Sequence, residues 1–128
     1  MSEGKIFLID DDPVARQLYT RALEKAGFLV SGTDHVIGTT SQINEFAPDI
    51  ILLDVMMPAL SGDKMVKILK QGIRSNPVII LLSNKSEDEL KKIKNECGAD
   101  DYVTKIGGLN MLLRKVNEHI FRRKTSTA

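Results

Sequence analysis

The sequence predicts an α/β domain built on a parallel β-sheet with helices on both faces. Three observations carry this expectation: short, continuously apolar runs, amphipathic helical segments between them, and short connections with no internal linker. A strand covered on both sides has no polar face, so unbroken apolarity rather than alternation marks the sheet interior.

The first strand is "KIFLID" (5–10). The helix "DPVARQLYTRALEKAG" (12–27) follows, with Asp12 as N-cap, Pro13 at the first helical position and Gly27 as its stop. Its apolar face is read through Val14, Leu18, Ala22 and Leu23. "FLVSGTD" (28–34) is a weaker second strand, and "GTTSQINEFAP" (38–48) a short helix. "DIILLD" (49–54) is the third strand, followed by "SGDKMVKILKQG" (61–72), amphipathic through Met65, Ile68 and Leu69. "PVIILLS" (77–83) is the fourth strand. "SEDELKKIKNECG" (86–98) opens with Ser86 and Glu89 at capping-box spacing. "DYVTK" (101–105) is the fifth strand. The last helix, about 108–123, carries Leu109, Leu112, Leu113, Val116 and Ile120 at helical spacing, and residues 124–128 read as a loose tail. Five β-α repeats in one sheet require right-handed crossovers and hence helices on both faces.

The 128 residues suffice for one ordinary domain, 1–128, with its core at about 5–123. A net charge of +1, with 27% charged and 42% hydrophobic residues, argues against a broad nucleic-acid or membrane-surface footprint. The longest strongly apolar run, "VIILL" (78–82), is far shorter than a membrane helix, and no leader marks the chain for secretion. With Cys97 alone there is no disulfide framework, and a reducing cytoplasm is the expected compartment. Cys97 itself is read as a packing residue.

Ligands of such sheets bind beyond the carboxyl ends of the strands. Those ends carry Asp10 and Asp11, then Asp54, Ser83 and Lys105. Two carboxylates about 5 Å apart repel by roughly 3 kcal/mol at an effective dielectric of about 20. Three therefore need a cation or raised pKa values. An oxygen-only rim suits Mg²⁺, which favours phosphate as a co-ligand. A cation on Asp10 and Asp11 would let a phosphoryl donor approach Asp54, whose carboxylate can act as a nucleophile.

The segments "LIDDDPVAR", "LLDVMMPALSG", "VIILLSNKS" and "GADDYVTK" resemble, in order and spacing, the motifs of receiver domains of two-component response regulators of the chemotaxis-regulator type. The resemblance covers about Lys5 to Arg123. It implies a flavodoxin-like (βα)5 three-layer sandwich with strand order 2-1-3-4-5. It also implies that Asp54 accepts a phosphoryl group from a histidine kinase or phosphotransfer protein, so the domain assists its own phosphotransfer and autodephosphorylation and is not an enzyme on outside substrates. Asp11, Asp10, Asp54 and the backbone carbonyl of Met56 would hold Mg²⁺, with Mn²⁺ as substitute. Ser83 is the implied switch hydroxyl, Lys105 the lysine on the phosphoryl oxygens, Tyr102 the switch aromatic, and Met56 with Lys85 would tune phosphoryl lifetime. The implied output face comprises the fourth helix, fifth strand and fifth helix, in a monomer or a phosphorylation-dependent dimer. Where the family has proline after its lysine, this chain has Ile106, so a trans bond or a rearranged loop is expected there.

Blander readings compete at several positions. Asp12 is read as a helix cap, Asp100 and Asp101 as loop carboxylates outside the site, and His35 and His119 as surface residues. Met56 and Met57 are packing and loop residues apart from the Met56 carbonyl, and Tyr102 could be only a half-buried strand aromatic. Alternative functions are a non-phosphorylated pseudo-receiver docking module, a Mg²⁺-dependent phosphohydrolase and a flavodoxin. Met56 stands where one common phosphohydrolase type needs an acid, and "DDDP" would repel a flavin phosphate without a metal. Neither kinase nor output is legible, and an effector domain could belong to a longer protein.

Overall fold

The computed structural model describes residues 4–56 and 61–125; Met57 and the end of the expected tail, 126–128, lie outside them. The elements are β1 (Lys5–Ile9), α1 (Pro13–Lys25), β2 (Leu29–Thr33), α2 (Thr40–Phe46), β3 (Ile50–Asp54), α3 (Gly62–Gly72), β4 (Val78–Ser83), α4 (Glu87–Cys97), β5 (Asp101–Thr104), a one-turn 3₁₀ helix (Lys105–Gly107) and α5 (Gly108–Thr125). All strand pairs are parallel, in the order β2-β1-β3-β4-β5. The expected flavodoxin-like three-layer arrangement is the one observed.

Side chains of adjacent strand residues leave on opposite faces, and that splits the core in two. Phe7, Ile9, Ile51, Leu53, Ile79 and Leu81 pack on one face with Ile43 of α2, Met65, Val66 and Leu69 of α3 and Leu90 of α4. Ile6, Leu8, Ile50, Leu52, Ile80, Leu82 and Val103 pack on the other, with Leu23 of α1 and Leu112, Val116 and Ile120 of α5. Each fully buried Ile or Leu is worth about 1.5–3 kcal/mol of transfer free energy. β3 is buried along its whole length, which explains why its sequence has no polar residue before Asp54.

Local chemistry sets the element ends. Asp12 caps α1 by accepting the Val14 N–H at 3.0 Å. Ser86 caps α4 by accepting from Glu89 N, while the Glu89 carboxylate meets Lys85 Nζ at 3.6 Å. α4 stops at Gly98, whose φ of 79° is left-handed and suits glycine. In β2, at the sheet edge, a Cβ on Gly32 would lie 2.6 Å from the Leu8 carbonyl oxygen, so only glycine permits this approach to β1.

Three expectations need correction. The inner face of α1 is not the Val14–Leu18 stripe: Val14 is 74% and Leu18 51% exposed, whereas Leu23 is buried and Tyr19 packs against the core. The helix is rotated because its packed face runs through Tyr19 and Leu23, one turn apart. The expected tail does not begin at 124, since α5 continues through Thr125, whose hydroxyl donates to the Phe121 carbonyl. β5 ends at Thr104 rather than Lys105 because the Thr104 hydroxyl accepts the Ile106 N–H and starts the 3₁₀ turn.

Candidate functional site

The register Ile9↔Leu53 puts the next residues, Asp10 and Asp54, side by side where β1 and β3 end. Both are buried: Asp10 is 0% and Asp54 3% exposed, whereas Asp11 is exposed. One carboxylate oxygen from each of Asp10, Asp11 and Asp54 lies within 4.8 Å of the others. Such a set, all oxygen and partly open, fits a hard divalent cation that keeps some of its waters.

Fixed bonds aim these carboxylates. Asp10 Oδ1 accepts the Asp12 N–H at 3.0 Å, and the Asp10 carbonyl accepts from Arg16 Nη1 at 2.7 Å. Asp54 Oδ1 accepts the Met56 N–H at 2.8 Å. Lys105 Nζ reaches in from the residue that follows β5, 3.0 Å from Asp10 Oδ2 and 3.5 Å from Asp54 Oδ2. It does so without a following proline. No cis peptide occurs among the described residues, and the 3₁₀ turn orients the lysine instead.

Electrostatics divides this cluster. Burial raises the Asp54 carboxyl from 3.8 to about 6; the Met56 N–H and Lys105 oppose this, and Asp10 reinforces it. Burial works against the Lys105 ammonium, but its bond to Asp10 and the charges of Asp54 and Asp10 outweigh burial, so its pKa is raised. Without a metal, the site thus holds a firmly charged lysine beside a carboxyl poised to bind a proton. An acidic pair with one cation needs further positive charge to ionise fully.

Ser83, fully buried at the end of β4, accepts the Lys85 N–H at 3.1 Å and pairs in register with Thr104. Lys85 turns its ammonium toward Glu89. Tyr102 is half-buried against the core and lines a groove with Glu87, Thr104, Met111 and Lys115, on the face shared by α4, β5 and α5. Met56, expected to pack, is 50% exposed, in the turn that follows Asp54.

Two clusters escaped the sequence reading. His119 is not a surface residue: it is 8% exposed, with Nε2 2.8 Å from Asp101 Oδ2. Lys115 Nζ meets both Asp101 oxygens at 3.3 Å. Asp101 is accordingly the first residue of β5 and not a loop carboxylate, though it lies outside the acidic cluster as expected. The spacing Lys115–His119, one helical turn, was the available signal. Tyr19 also reaches the site, with Lys105 Nζ 5.7 Å from its ring centroid. Its one-turn spacing from Leu23 would have placed it on the inner face. Burial raises the Tyr19 phenol above its ordinary range against the opposing pull of Lys105.

Residues 6–117 match the family model for the response regulator receiver domain. Among curated proteins, the chain is 33% identical over 102 residues to the phosphate regulon transcriptional regulatory protein PhoB of Klebsiella pneumoniae, covering 79% of this chain and 44% of that protein. It is 31% identical to the DNA-binding response regulator MtrA of Mycolicibacterium smegmatis, covering 97% of this chain and 54% of MtrA. The chain thus spans about half the length of these curated relatives. Among solved structures, chemotaxis protein CheY4 of Vibrio cholerae superposes with a TM-score of 0.79 at 24% identity, over 91% of this chain and 98% of that one, which speaks for the fold. The BeF3-activated N-terminal receiver domain of Klebsiella pneumoniae RstA superposes with a TM-score of 0.79 at 28% identity, over 91% and 97% of the two chains. With five parallel strands in the order 2-1-3-4-5 and an acidic cluster at their carboxyl ends, this chain belongs to the response regulator receiver domain family of two-component systems.

Proposed function

We propose that this domain is a phosphoacceptor switch in which Asp54 receives a phosphoryl group from the phosphohistidine of a kinase or phosphotransfer protein. The observation that carries this reading is the convergence of Asp10, Asp11 and Asp54 within 4.8 Å, with Lys105 Nζ 3.0–3.5 Å from two of them. An Asp54 oxygen attacks phosphorus, a P–O bond forms, and the P–N bond breaks with its electron pair returning to the imidazole. The residues that would hold Mg²⁺, or Mn²⁺, are Asp10, Asp11, Asp54 and the Met56 carbonyl. The cation would supply charge neutralisation for the incoming phosphoryl oxygens. Lys105 would pair with a phosphoryl oxygen, and hydrolysis of the acyl phosphate by water would reset the domain.

Support for a macromolecular donor comes from the rim. Val14, Leu18, Met56 and Ile106 are exposed apolar residues on segments that leave the carboxyl ends of the strands around Asp54. Apolar side chains around a polar pocket fit a docked helix that presents a histidine. For output, Ser83 would turn toward the phosphoryl group and Tyr102 inward, altering the face formed by α4, β5 and α5. Met56 would shield the acyl phosphate and Lys85 would flank it; Met56→Asn should change the dephosphorylation rate, and an identical rate would remove Met56 from that role. Catalysis on outside substrates is not part of this reading, and the cytoplasm is the compartment where such a donor would be met.

The test is incubation with Mg²⁺ and acetyl phosphate, followed by intact-mass measurement of the wild type and Asp54→Asn. One phosphoryl mass should be added to the wild type alone. A mass gain that survives the substitution, or none in either protein, sinks the proposal.

A further inference from the structure

We propose that Tyr19 is a positioning residue for Lys105, its ring keeping the ammonium at the acidic site when a divalent cation competes for Asp10. The kinetic consequence rests on the phosphoacceptor reading above; the contact itself does not.

Lys105 arises from a one-turn 3₁₀ helix, and its four-carbon stem is flexible. Two kinds of partner hold its end. On one side are Asp10 Oδ2 at 3.0 Å and Asp54 Oδ2 at 3.5 Å. On the other is the Tyr19 ring, 5.7 Å from Nζ to centroid, within the range of cation–π attraction. The Lys105 side chain is 11% exposed, so this attraction operates where water competes poorly. A cation that draws on Asp10, Asp11 and Asp54 weakens the first kind of partner, because the same oxygens cannot serve both charges fully. The ring face is not among the carboxylate oxygens a divalent cation would draw on, so this contact does not compete with the metal. It is also well anchored. Tyr19 packs against the buried cluster that includes Leu23, and Arg16, one turn earlier in α1, grips the Asp10 carbonyl at 2.7 Å. The aromatic face, the acidic pair and the lysine are thus held to one frame, in a loop where Ile106 adds no rigidity of its own.

The cation–π contact is made by the ring face, which Tyr19→Phe keeps, so this variant should behave as wild type, while Tyr19→Leu keeps an apolar body and loses the ring. Two readouts apply to the full chain with ¹³C-labelled lysine, the Lys105 signal being assigned by its loss in Lys105→Ala. The first is the chemical shift of the Lys105 ε-methylene protons, with and without Mg²⁺; stacking over a ring displaces them upfield of the exposed lysines. The displacement should persist in Tyr19→Phe and vanish in Tyr19→Leu. The second is the rate of phosphorylation by acetyl phosphate, expected to fall about fivefold in Tyr19→Leu and to stay within about twofold in Tyr19→Phe. Tyr19→Met replaces the leucine variant if that one does not fold. An unshifted Lys105 signal in the wild type, a signal unchanged by loss of the ring, or a phenylalanine variant as slow as leucine overturns the proposal. Should the wild type accept no phosphoryl group, the phosphoacceptor reading fails and the shift alone decides the contact.

Discussion

Replacing Asp54 by asparagine in metal-free protein removes a charge that the fold keeps only 3% exposed. Its carboxyl is raised from 3.8 to about 6, burial being the largest cause. Because the folded value lies above the unfolded one, the folded state binds more protons between these limits, and stability falls as pH rises through that window. At about 1.4 kcal/mol per pH unit, the accumulated cost of ionised Asp54 reaches roughly 3 kcal/mol above pH 7 and shrinks to well under 1 kcal/mol near pH 4. Asparagine retains an oxygen to accept the Met56 N–H and carries no charge. Asp54→Asn should therefore be more stable than wild type in EDTA at pH 7.5, by up to about 3 kcal/mol. For a domain of this size that is a ceiling of roughly 10 °C in Tm. Urea and thermal melts at pH 7.5 and pH 4 measure it. Added Mg²⁺ should narrow the gap by stabilising the wild type through the carboxylates. Equal stability at pH 7.5, or a gap of the same size at pH 4, would refute the assignment of Asp54 as a strained buried charge.

Other consequences follow from the same contacts. Lys105→Ala leaves Asp10 and Asp54 without their shared cation; it should cost about 3 kcal/mol in EDTA at pH 7.5, partly restored by Mg²⁺, and wild-type urea melts would contradict this. Asp101→Asn removes the charge and one of the two acceptor oxygens that hold His119 and Lys115 and should cost about 1–3 kcal/mol at pH 7. Burial works to raise the Asp101 carboxyl, but His119, the Tyr102 N–H and Lys115 outweigh it and lower it below 3.8. Its stabilisation is therefore present above that value and lost as pH falls through the folded pKa, so the gap between mutant and wild type should narrow steadily in melts as pH is lowered below 3.8. Gly32→Ala forces a Cβ to 2.6 Å from the Leu8 carbonyl oxygen and should cost about 1–3 kcal/mol in a urea melt; a change below about 0.5 kcal/mol would mean that β2 shifts freely at the sheet edge.

Much of this protein is determined along the chain itself. Apolar runs bounded by Asp10, Asp54 and Ser83 mark strands and their ends, because two-sided burial leaves no room for polar residues before the edge. Asp12 before Pro13, and Ser86 before Glu89, mark helix starts, because capping is satisfied within a few residues. The acidic rim was legible for the same reason: strand ends and site residues coincide in a parallel sheet. Only the tertiary structure decided the rest. Which way α1 turns is set by packing against the sheet and α5, so Val14 and Leu18 face outward and Tyr19 inward toward Lys105. Whether His119 is buried depends on Asp101, a charge from another element that meets it in space. The proton affinity of Asp54 likewise reflects burial and two charges, one 44 residues before it and one 51 after, brought together by the register of the strands. Dehydration and Coulomb interactions depend on distance through space, and folding alone sets that distance.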